Sequence, residues 1–295
     1  MRTVFLCLLL IGVGDLCAQP GAISAAQSTF ESALAAAKSG QLDSAWAKVE
    51  QAITMDPRNA KAFKLRGDLH QRKGESDAAL ADYKLSEGLD PNYARLFISR
   101  SALRVSQGLH KTAVKDATRA IELDPTDADG YYNRACALYL GGNTEAAKKD
   151  ATKAVKLKPD HADALYLCGV TKGELYEEEA GMADIASALL LKPGIPGGKM
   201  SMAILLFEGK RYEEAIDKFT EVMDSDTSEL AAAHYYRGDC WYNLENKEKA
   251  CADFIESMRL GDKDAQFIKK NYCDTDLNKI PKKPVKKKRR TMIEF

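Results

Sequence analysis

Gly194-Ile-Pro-Gly-Gly-Lys199 carries the glycines and the closing lysine of a loop that cradles phosphate with backbone N–H groups. Pro193 stands where the first glycine of such a loop belongs, Met200 replaces its hydroxyl residue, and no strand pattern precedes it. The segment therefore reads as a connection, not a nucleotide site. His70, His110, His161 and His234 are isolated, with no partner at the short spacing of metal ligands. The 7 cysteines include no C-x-x-C pair. These patterns predict no metal, no cofactor and no catalysis. Recognition chemistry remains, carried by cations and aromatic rings, and the question becomes which elements hold them.

The elements declare themselves by period. Pro57, Pro91, Pro125, Pro159 and Pro193 fall 34 residues apart. Gly40, Gly74, Gly108 and Gly142 keep the same period, as do Ala45, Ala79, Ala113, Ala147, Gly181 and Ala215. Three residue types at one period mark an internal repeat. Within residues 128–161, Tyr131, Ala135 and Leu138 form the apolar stripe of a first helix. Gly141-Gly142 supplies the turn. Ala147, Ala151, Ala154 and Val155 line a second helix, which Pro159 ends. Small residues at fixed places predict close helix crossings. A helix pair this small cannot bury its own apolar face, so neighbours must stack into a solenoid.

The period, the small residue late in the first helix (Gly67, Ala135, Gly169, Gly238), the small-residue ladder and the terminal proline resemble the tetratricopeptide repeat. Seven copies are read, at 26–59, 60–93, 94–127, 128–161, 162–195, 196–229 and 231–264. The resemblance implies an all-α, right-handed superhelical solenoid, which is a scaffold whose site must be argued separately. The array divides near 193–199 into a strict and a relaxed block: repeat five has Gly181 on the ladder and Glu177-Glu-Glu179 in the turn, and repeat six ends in Thr227. The closing segment, with Ala250-Cys-Ala-Asp-Phe254, Leu260-Gly-Asp-Lys-Asp-Ala265 and Asn271-Tyr-Cys273, is similar to exported tetratricopeptide proteins of the Bacteroidetes. It implies a capping helix over 265–278.

In this family the concave surface is lined by first-helix residues, mainly at places 2, 5, 9, 12 and 13. Carried over by position, this implies partner-binding roles for Lys61, Lys64, Arg72 and Arg95, with Asp68 among them. It also implies them for Tyr132, Tyr139, Tyr166, Phe207, Tyr235 and Tyr242, for each of which helix packing is the competing reading. The family's clamp for chaperone carboxylates is absent, since Lys64 is followed by Asp68, Ser99, Asp129 and Asn133. The His-Pro-Asp signature of J-domain co-chaperones is absent too. The similar closing segments imply a Cys251–Cys273 disulfide; Cys240–Cys251 is the rival, and Cys136 and Cys168 read as small buried residues.

Met1-Arg-Thr3, the apolar run Val4–Val13 and Gly14-Asp-Leu-Cys-Ala18 follow the order of a secretory signal peptide over 1–18. The run is too short to span a bilayer. Cleavage is expected after Ala18, leaving a leader at 19–25; lipid attachment at Cys17 is disfavoured by Asp15-Leu16. Formal net charge is +0, but residues 279–295 hold eight basic residues against Glu294, so an acidic body carries a basic tail. That tail is read as disordered. It is either simply solvated or drawn to an anionic envelope surface, and the signal segment argues against nucleic acid. The sequence thus predicts a non-enzymatic, protein-binding scaffold, periplasmic or secreted, with no transmembrane segment in the mature chain. The alternative is a membrane-tethered assembly factor or a co-chaperone-like protein.

Overall fold

A computed structural model describes residues 20–225 and 227–282. They form helices joined by short turns, with no strand among the described residues. The expected signal segment and residues 283–295 of the basic tail lie outside them. The chain divides into two compact units, Met1–Asn92 and Tyr93–Phe295.

The first unit holds α1 (Pro20–Lys38), α2 (Leu42–Met55), α3 (Ala60–Arg72) and α4 (Ser76–Leu89). The leader expected over 19–25 is helical from Pro20 onward. Proline suits a first helical turn, where its missing N–H has no partner to lose. Alanines make the core thin: Ala33, Ala36 and Ala37 pack with Ala45, Val49 and Ala52, and Phe30, Leu65 and Leu69 close it.

The second unit continues with α5 (Ala94–Ser106), α6 (His110–Leu123), α7 (Ala128–Leu140), α8 (Thr144–Leu157), α9 (Ala162–Glu174) and α10 (Glu178–Leu191). Then come α11 (Gly198–Glu208), α12 (Tyr212–Ser225), a 3-10 turn Thr227–Glu229, α13 (Leu230–Asn243), α14 (Lys247–Arg259) and α15 (Lys263–Ile268). Its core runs continuously from Ala135 to Tyr272, and Ile185, Phe219, Phe254 and Ile268 are fully enclosed. Burying a side chain of this kind contributes about 1.5–3 kcal/mol.

Each hairpin turn needs one residue in the left-handed region. Gly40, Gly74, Gly108 and Gly142 supply it, at φ of +77°, +79°, +72° and +90°. Repeats five to seven lack that glycine, yet Tyr176, Lys210 and Glu245 hold the same conformation at +64°, +59° and +58°. A side chain there costs roughly 1–2 kcal/mol, so packing of the flanking helices outweighs local preference in the relaxed block.

The small-residue ladder lies at helix crossings, where Ala45, Ala79, Ala113, Ala147 and Ala215 are all buried. Gly181 has a specific cause. A Cβ on Gly169 of α9 would stand 2.6 Å from the Gly181 carbonyl oxygen, and one on Gly181 would stand 2.7 Å from the Gly169 oxygen. The α9 and α10 backbones approach closer than any Cβ allows, so glycine is required on both.

The C-terminal cap is shorter as a helix than its expected span. α15 passes into a π-helical turn, Lys269–Cys273, and the chain then continues without helix to 282. Cys251 on α14 and Cys273 are joined by a disulfide, with their Cα atoms 5.6 Å apart. Lys247 donates to the carbonyls of Thr275 (2.6 Å) and Leu277 (2.9 Å), and its ammonium lies 4.8 Å from the Tyr272 ring centre. Cys136, Cys168 and Cys240 are buried and outside any disulfide. The rival pairing Cys240–Cys251 is therefore not formed.

Candidate functional site

In the first unit, the expected recognition residues sit on α3. Lys61 is exposed. Lys64 is 2.6 Å from Asp68, which also accepts a hydrogen bond from the Tyr83 hydroxyl at 2.9 Å. Arg72 donates to the Ala37 carbonyl at 3.0 Å, bracing α3 against α1. Lys64 and Arg72 thus hold acceptors of their own chain, and Lys61 is the cation that projects.

In the second unit, Arg95 at the start of α5 is 53% exposed yet fixed. It reaches Asp129 on α7 at 2.6 Å and Asp127, the residue capping α7, at 3.4 Å. His161 caps α9: its Nδ1 accepts from the Ala164 N–H at 3.3 Å. That leaves Nε2 to carry the proton toward Asp129, 3.4 Å away. The His161 hydrogen bond, then that of Arg95, outweighs burial and holds the Asp129 carboxyl well below the usual carboxylate range. Pairing that lowers a carboxylate pKa stabilises the fold fully above the unfolded value, about 3.9, and is lost as pH falls through the folded value. The Tyr132 ring lies 4.8 Å from His161, and burial, its largest influence, pushes the phenol pKa up. Three first helices thus meet in a cluster of one exposed cation, two carboxylates and two rings.

The remaining tyrosines depart from expectation. Tyr139, Tyr166 and Tyr235 are core residues, so the partner-binding role assigned to them is corrected. Tyr139 and Tyr166 face the adjacent first helix, and Tyr235 packs edge-on to Phe254 of α14 with ring centres 5.5 Å apart. The Tyr139 hydroxyl donates to Glu174 at 2.7 Å, and those of Tyr166 and Ser201 are 2.9 Å apart. Tyr242 and Phe207 are half-buried; Tyr242 stacks edge-on to Tyr272, its ring centre 5.4 Å away, and Phe207 packs on Tyr212 and Tyr236.

Burial pushes the Cys168 thiol up to about 11, outside the range of a reactive thiolate. Among the described residues no group of three or more His, Cys, Asp or Glu side chains could hold a metal ion. No described helix is long and apolar enough to cross a membrane.

Comparison with known families gives a consistent result. Tetratricopeptide-repeat models match residues 30–94, 117–149 and 200–265, together more than half of the chain. The chain belongs to the tetratricopeptide repeat family. That fold is a scaffold for protein–protein contacts. Among solved structures, a tetratricopeptide repeat protein from Parabacteroides merdae is 17% identical, with a TM-score of 0.55 over 81% of this chain and 94% of that one. The Cut9–Hcn1 hetero-tetramer of the APC/C gives 0.64 at 16% identity, over 78% of this chain and 45% of the other. PilW, a type IV pilus biogenesis factor, gives 0.61 at 14%, over 68% and 93%. At these identities the likeness is one of fold. No curated protein matches the sequence.

The tetratricopeptide hairpins are tied by a device that the sequence reading passed over. Arg66, Arg100, Arg134 and Arg237 each grip, with two nitrogens, the aspartate sixteen residues on: Asp82, Asp116, Asp150 and Asp253, at 2.6–2.9 Å. The third nitrogen of three of them reaches back to the preceding second helix. Arg66 meets Glu50 at 3.1 Å, Arg134 meets Thr118 at 3.3 Å and Arg237 meets Thr220 at 2.9 Å. One guanidinium fork thereby fixes three helices. Asp150 also holds the Arg134 pKa above its ordinary value. The signal was available: Arg66, Arg100 and Arg134 obey the same 34-residue period as the prolines.

Proposed function

We propose that this chain is an exported, non-enzymatic scaffold that holds a partner protein against the first helices of its repeats. The observation that carries this reading is Arg95: a half-exposed guanidinium held in one orientation by Asp127 and Asp129, beside the half-buried Tyr132 ring. Arginine and tyrosine dominate the energetics of protein interfaces, and a side chain already fixed loses less entropy on binding. In the first unit, taken by itself, Lys61 on α3 is an exposed cation. The partner segment is acidic at the point where it meets Arg95.

Export is supported by the signal-like order of residues 1–18 and by the chemistry of the Cys251–Cys273 disulfide, which persists in an oxidising compartment. The basic residues after Lys279 suit an anionic envelope surface.

The test is capture from an envelope extract by the mature chain and by its Arg95→Glu and Lys61→Glu variants. Arg95→Glu places a carboxylate against Asp127 and Asp129 at an exposed site, so helicity should persist while capture falls at least tenfold, the range of an interface hot spot. Undiminished capture by folded Arg95→Glu would remove Arg95 from the site.

A further inference from the structure

The crevice between successive second helices recurs along the array, and the chain's own side chains fill it in most copies. In repeats two, four and seven the filler is the arginine of the Arg–Asp clip. In repeat five the corresponding residue is Cys168, 3.4 Å from Thr152 of α8, and Lys172 spans to Asp184 at 2.6 Å. Repeat six has neither. Met202 stands in the arginine place, Lys218 in the aspartate place and Leu206 one turn further along. Between α10 and α12 a cavity of about 600 Å³ remains, floored by Met182, Ala186, Leu189, Met202 and Leu206. That volume lies within the roughly 300–1,000 Å³ of small-molecule sites.

The charges at the mouth are not equivalent. Arg211 is held by Glu214 at 2.7 Å and Lys218 by Glu221 at 2.6 Å. Lys199, in the first turn of α11, donates to the Ser225 hydroxyl at 3.2 Å and holds no carboxylate among the described residues. One end of an apolar slot is thus marked by a cation whose partner is neutral.

We propose that this crevice binds a free long-chain carboxylate, its hydrocarbon chain along Met182, Ala186, Met202 and Leu206 and its head group on the Lys199 ammonium. Methionine suits such a floor, because its unbranched thioether adapts to a flexible chain. The apolar lining provides the affinity, and the ion pair sets the direction of entry.

The test is titration of the whole mature chain with laurate, and with 1-dodecanol as its neutral counterpart, read on 13C-labelled methionine methyl groups. The Met182 and Met202 signals should shift saturably with laurate. Lys199→Gln should weaken laurate about tenfold, the scale of a hydrogen bond to a charged group, and leave dodecanol unchanged. Met202→Arg with Lys218→Asp writes the missing clip into repeat six and should abolish binding of both. Ala186→Phe fills the slot by a different route and covers the case in which the double variant fails to fold. The proposal would be overturned by no saturable shift at Met182 and Met202, by laurate bound unchanged by folded filled variants, or by Lys199→Gln affecting both ligands alike. A shift produced by an amphipathic helical peptide but not by laurate would assign the crevice to a protein helix and likewise overturn it.

Discussion

Replacing Asp116 with alanine is expected to lower the free energy of unfolding by about 3–5 kcal/mol, the cost of removing one member of a buried ion pair. Asp116 accepts two bonds from Arg100, both at 2.9 Å, and is also paired with Arg104. The exposures are low, 11% for the Arg100 side chain and 6% for that of Asp116, so water does not take over when the carboxylate is removed. The size of the effect separates two accounts. A solvent-screened surface pair contributes about 0–1 kcal/mol, so a loss below about 1 kcal/mol in denaturant unfolding would show the clip to be decorative. The paired replacement of Arg100 with methionine and Asp116 with leucine should recover most of the loss. Arg104, more exposed, can then turn to solvent.

Opening the Cys251–Cys273 disulfide is the second large effect. It closes a loop of 22 residues, and constraining a loop of that length in the unfolded chain stabilises by about 3 kcal/mol. The consequence is local, because a repeat array is stabilised through nearest neighbours and its end has one neighbour only. Cys273→Ser should therefore release the π-helical turn, the Lys247 contacts to Thr275 and Leu277, and the packing of Ile280, while the α5–α8 hairpins keep their stability. Non-reducing peptide mapping checks the link itself: a 251–273 peptide is expected. Free thiols at both positions, or a melt insensitive to reductant, would contradict it.

What the sequence revealed and what it hid follow from the same physics. The glycine turns and the small-residue ladder were legible because sterics leave little choice: few residues other than glycine take positive φ freely, and alanine or smaller fits a close crossing. Tyr176, Lys210 and Glu245 escaped notice because tertiary packing, which a local pattern does not record, imposes the left-handed turn on them. The tyrosines were harder. Whether Tyr139 or Tyr166 faces solvent depends on what stands across from it, here Glu174 and Ser201 on neighbouring first helices. Tyr132, at the same place as Tyr166 one repeat earlier, is half-buried and lies against the His161 ring. The clips were periodic and still missed, since charged residues on helices are ordinarily read as solvated surface. Position alone did not distinguish Arg95, which is the exposed one, from Arg100, five residues on and buried.

Hydrogen–deuterium exchange of the mature chain, alone and bound to the protein it captures, tests the scaffold reading most directly. Slowed exchange is expected at the start of α5, at the α7 residues around Asp129 and Tyr132, and at the His161 cap of α9, with the second helices unchanged. Protection confined to α6, α8 and α12, with the Arg95 cluster exchanging as in the isolated chain, would contradict it.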